Sequence, residues 1–142
     1  MPTLLEKNQV GKRLQAIEIA LLATGALVGV LLRYKLVESP IMLVGLQINV
    51  LIVNVLGSFI LGIFSVLSLA FNLDTKYSLL VAVGFCGSFT TMSSFALETS
   101  NIIDSNRLTL AMLNVLANVG LSISAVIGGR AAGNVLLGIV SQ

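Results

Sequence analysis

GFCGSFTTMSSF, residues 84–95, is the stretch on which the reading of the chain turns. It lies inside a run, residues 77–97, that is long enough and apolar enough at its flanks to cross a bilayer. Its middle nevertheless holds Gly84, Gly87, Ser88, Thr90, Thr91, Ser93 and Ser94. In hydrocarbon every backbone N–H and C=O needs a partner. A broken helix therefore survives only where protein or a water-filled cavity covers it. Gly87, followed by Ser88 and two threonines, is the expected place for a break, because Gly accepts any φ and Thr can bond back to its own turn. A break at membrane depth presents carbonyls and amides to passing ions. The competing reading is a face of small residues for close helix packing.

Working outward, the totals agree with a membrane setting. Of 142 residues, 56% are hydrophobic and 10% charged, against roughly 25% charged in a soluble domain. Mean hydropathy is +1.03. The expectation is an all-α integral membrane protein, multi-pass, in the cell membrane. There is no His and one Cys, Cys86, which removes the usual metal-ligand sets, a Cys–His nucleophile pair and an internal disulfide. No acid–base set sits at membrane depth, so an enzyme is not expected. A net charge of +2 does not suggest nucleic acid. Lys7, Lys12 and Arg13 ahead of an apolar run resemble a signal peptide, but further spans follow and Glu18 interrupts the start of the run.

Four spans are expected, at about 15–34, 43–72, 76–101 and 107–130, behind a polar and basic lead-in over 1–14. The first apolar run, 19–32, is short, so Glu18 and Arg33 are expected to snorkel from its ends. Gly25 and Gly29, four apart, make a close-packing face. Arg33, Tyr34 and Lys35 mark a membrane boundary, and Glu38, Ser39 and Pro40 a turn. The second run, 41–73, carries no charge and exceeds a span, so it is read as tilted or as starting before the membrane. On it Asn54, Ser58 and Gly62 share one face, with Gln47 and Asn49 nearer the entrance. Asp74, Thr75 and Lys76 form a loop, and the third span ends near Glu98. The fourth run, 108–129, is closed by Arg130 and carries Asn114, Asn118 and Ser122 every four residues, a second polar stripe where polar groups are expensive. The tail, 131–142, reads as a helix end or interfacial segment rather than a fifth span.

Charge placement gives little orientation. With four spans, Lys7, Lys12, Arg13, Lys76 and Arg130 share one side, and Arg33, Lys35 and Arg107 the other. So small a bias allows insertion both ways, although a fixed orientation with the N-terminus inside stays open. Four helices enclose almost nothing, so a pathway lined by the stripes calls for a second copy, most simply around a two-fold axis.

Three motifs then carry a resemblance. Residues 84–95 resemble the third-span motif of the Fluc (CrcB) fluoride channel family, which runs close to GFxGGxTTFSTF. LIVNVLGSFILG, residues 51–62, resembles its second-span VNxxGxFxxG segment, and GALVGVLLRY, residues 25–34, its first-span GxxGxxxRY segment. The resemblance covers the chain from about residue 23 to 129. It implies an antiparallel, dual-topology homodimer with the third helix broken mid-membrane, passing fluoride through two pores. It implies a structural Na+ at the dimer interface, held by the backbone carbonyls of Gly87 and Thr90 from each subunit. A small hard cation prefers such oxygen ligands. By the same resemblance Asn54 donates to fluoride and Phe95 presents its positive ring edge. Ser94 and Thr91 supply hydroxyls, and Asn114, Asn118 and Ser122 form a polar track. Arg33 raises the anion concentration at a vestibule. Where the family usually has a second Phe, this chain has Met92, a flexible and polarisable wall without a ring quadrupole. Glu98 fits the end of the motif as a charge near the pore mouth. The implied function is passive conduction. Fluoride that enters as the neutral acid HF and is trapped as an anion leaves down its electrochemical gradient, which reduces its toxicity.

The main rival is a proton-coupled exporter of cationic compounds of the small multidrug resistance type, also four-span and dual-topology. That chemistry needs a carboxylate in the middle of the first span, whereas Glu18 is at the edge and 19–32 has no acid. A third reading, a non-transporting scaffold subunit, gives the asparagine stripes no work beyond helix packing.

Overall fold

The computed structural model describes residues 4–140, with side chains from residue 13 to 138. Residues 1–3 of the expected lead-in lie outside the described residues. From Leu4 the lead-in and first span form one helix, α1 (Leu4–Val37). At about 1.5 Å per residue its 34 residues exceed the ~30 Å hydrocarbon core by several turns. The apolar part, Arg13–Val37, is long enough to cross.

The second run divides: 41–73, expected to be tilted or to start before the membrane, holds a hairpin ahead of its helix, and the expected start of the span near 43 moves to Asn49. Its first residues form a two-stranded hairpin, β1 (Met42–Leu43) and β2 (Leu46–Gln47), with Met42 opposite Gln47 and Leu43 opposite Leu46. The two tip residues, Val44 and Gly45, have φ of 51° and 80°. Positive φ at both central positions matches the twist of a two-residue hairpin; Gly takes it freely, a β-branched Val does not. The span proper is α2 (Asn49–Ala70). Asn49 is 1% exposed and stitches the corner together. Its Nδ2 donates to the Leu36 and Ser39 carbonyls at 2.6 and 2.9 Å, and its Oδ1 accepts from the Ile41 N–H at 2.7 Å. Arg107 Nη2, donating to the Gly45 carbonyl at 3.4 Å, ties the hairpin tip to the far turn.

The third span is assembled from pieces. Asp74 caps α3 (Thr75–Ser78) by accepting the Lys76 N–H at 3.0 Å. A π-helical stretch follows at Leu79–Cys86, then one turn of α-helix, α4 (Gly87–Phe89). The chain extends at Thr90 and Thr91 and resumes as α5 (Met92–Asp104). Asn106, at φ 56°, closes α5 in the left-handed conformation that Asn tolerates. The last helix, α6 (Leu108–Val140), continues ten residues past Arg130, so the tail is a helix end; residues 141–142 lie outside the described residues.

Two close pairings hold these pieces. A Cβ on Gly25 would strike the Leu80 carbonyl, one on Gly29 the Phe85 carbonyl, and one on Gly84 the Leu22 carbonyl. Here α1 and the π-helical stretch therefore touch backbone to backbone. On the other side Gly62 meets the Val126 carbonyl, and Gly129 meets the Phe59 carbonyl, which seats α2 against α6. Lipid tails are as apolar as Leu, so close packing of small residues has to supply much of the association. Four helical segments among the described residues, Arg13–Val37, Asn49–Ala70, Thr75–Asp104 and Leu108–Gly138, are long and apolar enough to cross a membrane.

Candidate ion pathway

The break in the third span falls at Thr90 and Thr91, inside the expected stretch of Gly87, Ser88 and two threonines, at its threonine end. Gly87 is helical, with φ −63° and ψ −31°, and its N–H donates to the Ala82 carbonyl in the π pattern. Thr90 has ψ 158° and Thr91 φ −150° and ψ 112°, both extended. The cause is a tertiary contact. Asn54 Oδ1 on α2 accepts the Thr91 N–H at 2.8 Å, which a continuous helix would have given to the Gly87 carbonyl. Thr91 then caps α5: its Oγ1 accepts the Ser94 N–H at 3.2 Å and lies 3.1 and 3.2 Å from the Ser94 and Ser93 hydroxyls. Thr90 Oγ1 bonds back to the Cys86 carbonyl at 2.9 Å, so the last turn before the break keeps its partner.

Two cavities meet at this break. One, of about 410 Å³, is walled by Asn54, Ser58, Gly87, Thr90, Thr91, Met92, Phe95, Asn118 and Ser122 and is open on one side. The other, of about 440 Å³, has Arg33 and Tyr34 facing Thr91, Ser93 and Ser94. Thr91 lines both. Arg33 Nη1 donates to the Thr90 carbonyl at 3.4 Å, so this side chain reaches the break instead of only snorkelling to the interface.

From the first cavity a line of amides runs along α6. Asn54 Nδ2 donates to Asn118 Oδ1 at 3.1 Å, and more weakly to the Thr91 carbonyl at 3.4 Å. Asn118 Nδ2 donates to Asn114 Oδ1 at 3.0 Å, Asn114 Nδ2 to Thr99 Oγ1 at 3.0 Å, and Thr99 Oγ1 to the Phe95 carbonyl at 2.8 Å. The donors all point one way, so each bond polarises the next. Asn114, Asn118 and Phe95 are 3%, 4% and 6% exposed. The structure thus brings Asn54, Thr91, Asn114 and Asn118 into one network. Met92, Phe95 and Ser122 lie on the same cavity wall, while Ser94 and Arg33 line the second cavity. Gly62 lies on the α6-facing side of α2 with Asn54, where it meets the Val126 backbone and not the cavity. Thr99 was missed by the sequence reading; its signal is the spacing Thr91, Phe95, Thr99 at i, i+4 and i+8. Both carboxylate oxygens of Glu98 are out of reach of solvent and without a hydrogen-bond partner in the protomer.

Gly87 and Thr90 suit a small hard cation on chemical grounds. Among the described residues no group of three or more His, Cys, Asp or Glu is placed to hold a metal. The Gly87 carbonyl has lost its helical N–H to Asn54, and the Thr90 carbonyl turns out of the helix at ψ 158°, where its contact is the 3.4 Å bond from Arg33 Nη1. Both residues line the same open cavity. Carbonyl oxygens without helical partners are hard ligands for such an ion.

Four spans, one of them interrupted beside a cavity lined with amides, define a small polytopic membrane protein with an internal polar network. The chain belongs to the CrcB-like family: the family model described as CrcB-like protein, Camphor Resistance (CrcB), matches residues 20–130. It is 51% identical over 117 residues to a fluoride-specific ion channel FluC of Nitrosopumilus maritimus, covering 82% of this chain and 93% of that one. Proteins of the same name from Sulfurihydrogenibium and Methanocaldococcus jannaschii are 42% and 39% identical, over 76% and 72% of this chain and 90% and 82% of theirs.

Proposed function

We propose that the protein is a fluoride-selective channel through which cytoplasmic fluoride leaves passively down its electrochemical gradient. The observation that carries this reading is the line of amide donors from Asn54 through Asn118 and Asn114, opening on a cavity beside the broken span. Fluoride is a small and strongly hydrated acceptor, so a path that replaces its water must offer closely spaced donors. Asn54 is held in place by the Thr91 N–H on its Oδ1, while its 3.4 Å contact to the Thr91 carbonyl is long enough to be exchanged for an anion. Phe95 offers a ring edge, the positive end of its quadrupole, and no competing acceptor. Ser94, Thr91 and Ser122 add hydroxyls. Arg33 raises the anion concentration at the vestibule. Chloride, larger and a weaker acceptor, recovers less of its hydration energy on the same path.

The working unit in this reading is an antiparallel homodimer in the lipid bilayer. The cavity is open on one side, and the Glu98 carboxylate has no partner within the protomer, where burying a lone charge is expensive. A second subunit would supply both the missing wall and a partner. A structural Na+ between the Gly87 and Thr90 carbonyls of the two subunits would neutralise the ends of the broken helices. Replacing Na+ by a large organic cation should then lower the melting temperature of the purified dimer; an unchanged melting temperature would remove the ion from this reading.

The exporter alternative lacks a mid-span acid, since Glu18 is exposed near the start of the first span. Liposomes holding the purified protein test the reading directly. Rapid fluoride loss, seen with a fluoride electrode, with negligible chloride loss under the same gradient is the expected result. Equal loss of both ions, or proton-coupled cation uptake, would contradict it.

A further inference from the structure

We infer that Met92 is an oxidation site, and that converting its thioether to the sulfoxide shuts the anion pathway. The inference rests on the fluoride-conduction reading. Met92 is the first residue of α5, directly after the break, and stands on the wall of the open cavity with Asn54, Phe95 and Asn118. It is 72% exposed in the protomer, on the cavity that a second subunit would close, so a small oxidant reaches its sulfur along the anion path, whereas Cys86 is sealed at 3%. Thioether oxidation follows exposure. Met42 and Met112 are also exposed, but Met42 is on the hairpin and Met112 lines a separate apolar cavity beside Thr99. Met92 is thus the one methionine among the described residues that lines the asparagine cavity.

The step balances with a peroxide as oxidant. A sulfur lone pair attacks one peroxide oxygen and the O–O bond breaks. An S–O bond forms, and the other oxygen leaves as water after proton transfer. Sulfur is oxidised by two electrons and the peroxide reduced by two. The product carries a strong acceptor oxygen where an apolar wall stood. That oxygen competes for the Asn54 amide and opposes an anion with the negative end of its dipole. The cavity therefore loses a donor and gains a repulsive group at the same point.

The test oxidises the purified dimer with hydrogen peroxide in detergent, reconstitutes it, and compares fluoride efflux with untreated protein. A Met42→Leu/Met112→Leu protein, altered only outside the cavity, should conduct before treatment. Efflux should fall by about tenfold or more afterwards, the scale of one lost hydrogen bond. Peptide mass mapping should show Met92 as the sulfoxide. Treatment with both methionine sulfoxide reductases should restore efflux, whereas dithiothreitol alone, which reverses thiol oxidation at Cys86, should not. In Met92→Leu the ratio of treated to untreated efflux should stay near one, whatever its starting rate. Full conduction with Met92 mapped as sulfoxide, or Met92 unmodified under conditions that convert Met42 and Met112 in the wild type, would overturn the inference. A wild type that passes no fluoride before treatment would instead defeat the channel reading.

Discussion

At the residue scale, Asn54 and Thr91 make each other. The asparagine takes the N–H that a helix needs, and the threonine freed by that exchange caps the next helix. Thr91→Ala should lose the cap, costing about 1 kcal/mol, and should fray the start of α5 where Met92 and Phe95 stand. Chemical denaturation in detergent measures the first effect, and slower fluoride efflux the second; an unchanged midpoint with unchanged flux would contradict both. Asn118→Leu should interrupt the amide line and slow fluoride about tenfold to a hundredfold, since a lost donor to an anion is worth about 1.5–3 kcal/mol. Asparagines 114 and 118 were legible in the sequence because polar groups at i and i+4 on an apolar span stand out. The stretch that breaks was legible too, from Gly87 to the two threonines; the residue at which it breaks was not. Gly87 carries the local permission to break, but the chain breaks at Thr91, whose partner Asn54 sits 37 residues away on another helix.

At the element scale, the third span stays in place because the first lies against its backbone. Gly25→Val would drive a branched side chain into the Leu80 carbonyl, and overpacking of this kind costs about 1–3 kcal/mol. A lower yield of folded protein and an earlier thermal transition are expected; Gly120→Ala, where an added Cβ meets nothing within 4 Å, should show neither. Hydropathy alone located the four runs, because charge is nearly absent inside them. It could not see the hairpin, since 41–47 is as apolar as the helix that follows. The clue there was Gly45, at the tip between two short apolar runs. The π-helical stretch was equally hidden: it packs against α1 at Gly84, a contact between residues far apart in the sequence.

At the scale of the whole molecule, one protomer offers half an enclosure, and the balance of basic residues, five against three, gives the membrane little reason to choose an orientation. Ser105→Cys, on the exposed turn between α5 and α6, can be probed with an impermeant thiol reagent in intact cells, since Cys86 is buried. About half of the copies should label from outside if insertion is dual. Complete labelling or complete protection would mean one orientation, and the antiparallel dimer would fall with it. The measurement that bears most directly on the central claim is fluoride efflux from liposomes holding wild type or Asn54→Asp. The carboxylate keeps the size of the amide but removes its donor and adds a negative charge beside the break. Fluoride efflux should drop by at least about tenfold in a dimer that still elutes intact. Wild-type efflux from the Asn54→Asp dimer would contradict the claim that this amide carries the ion.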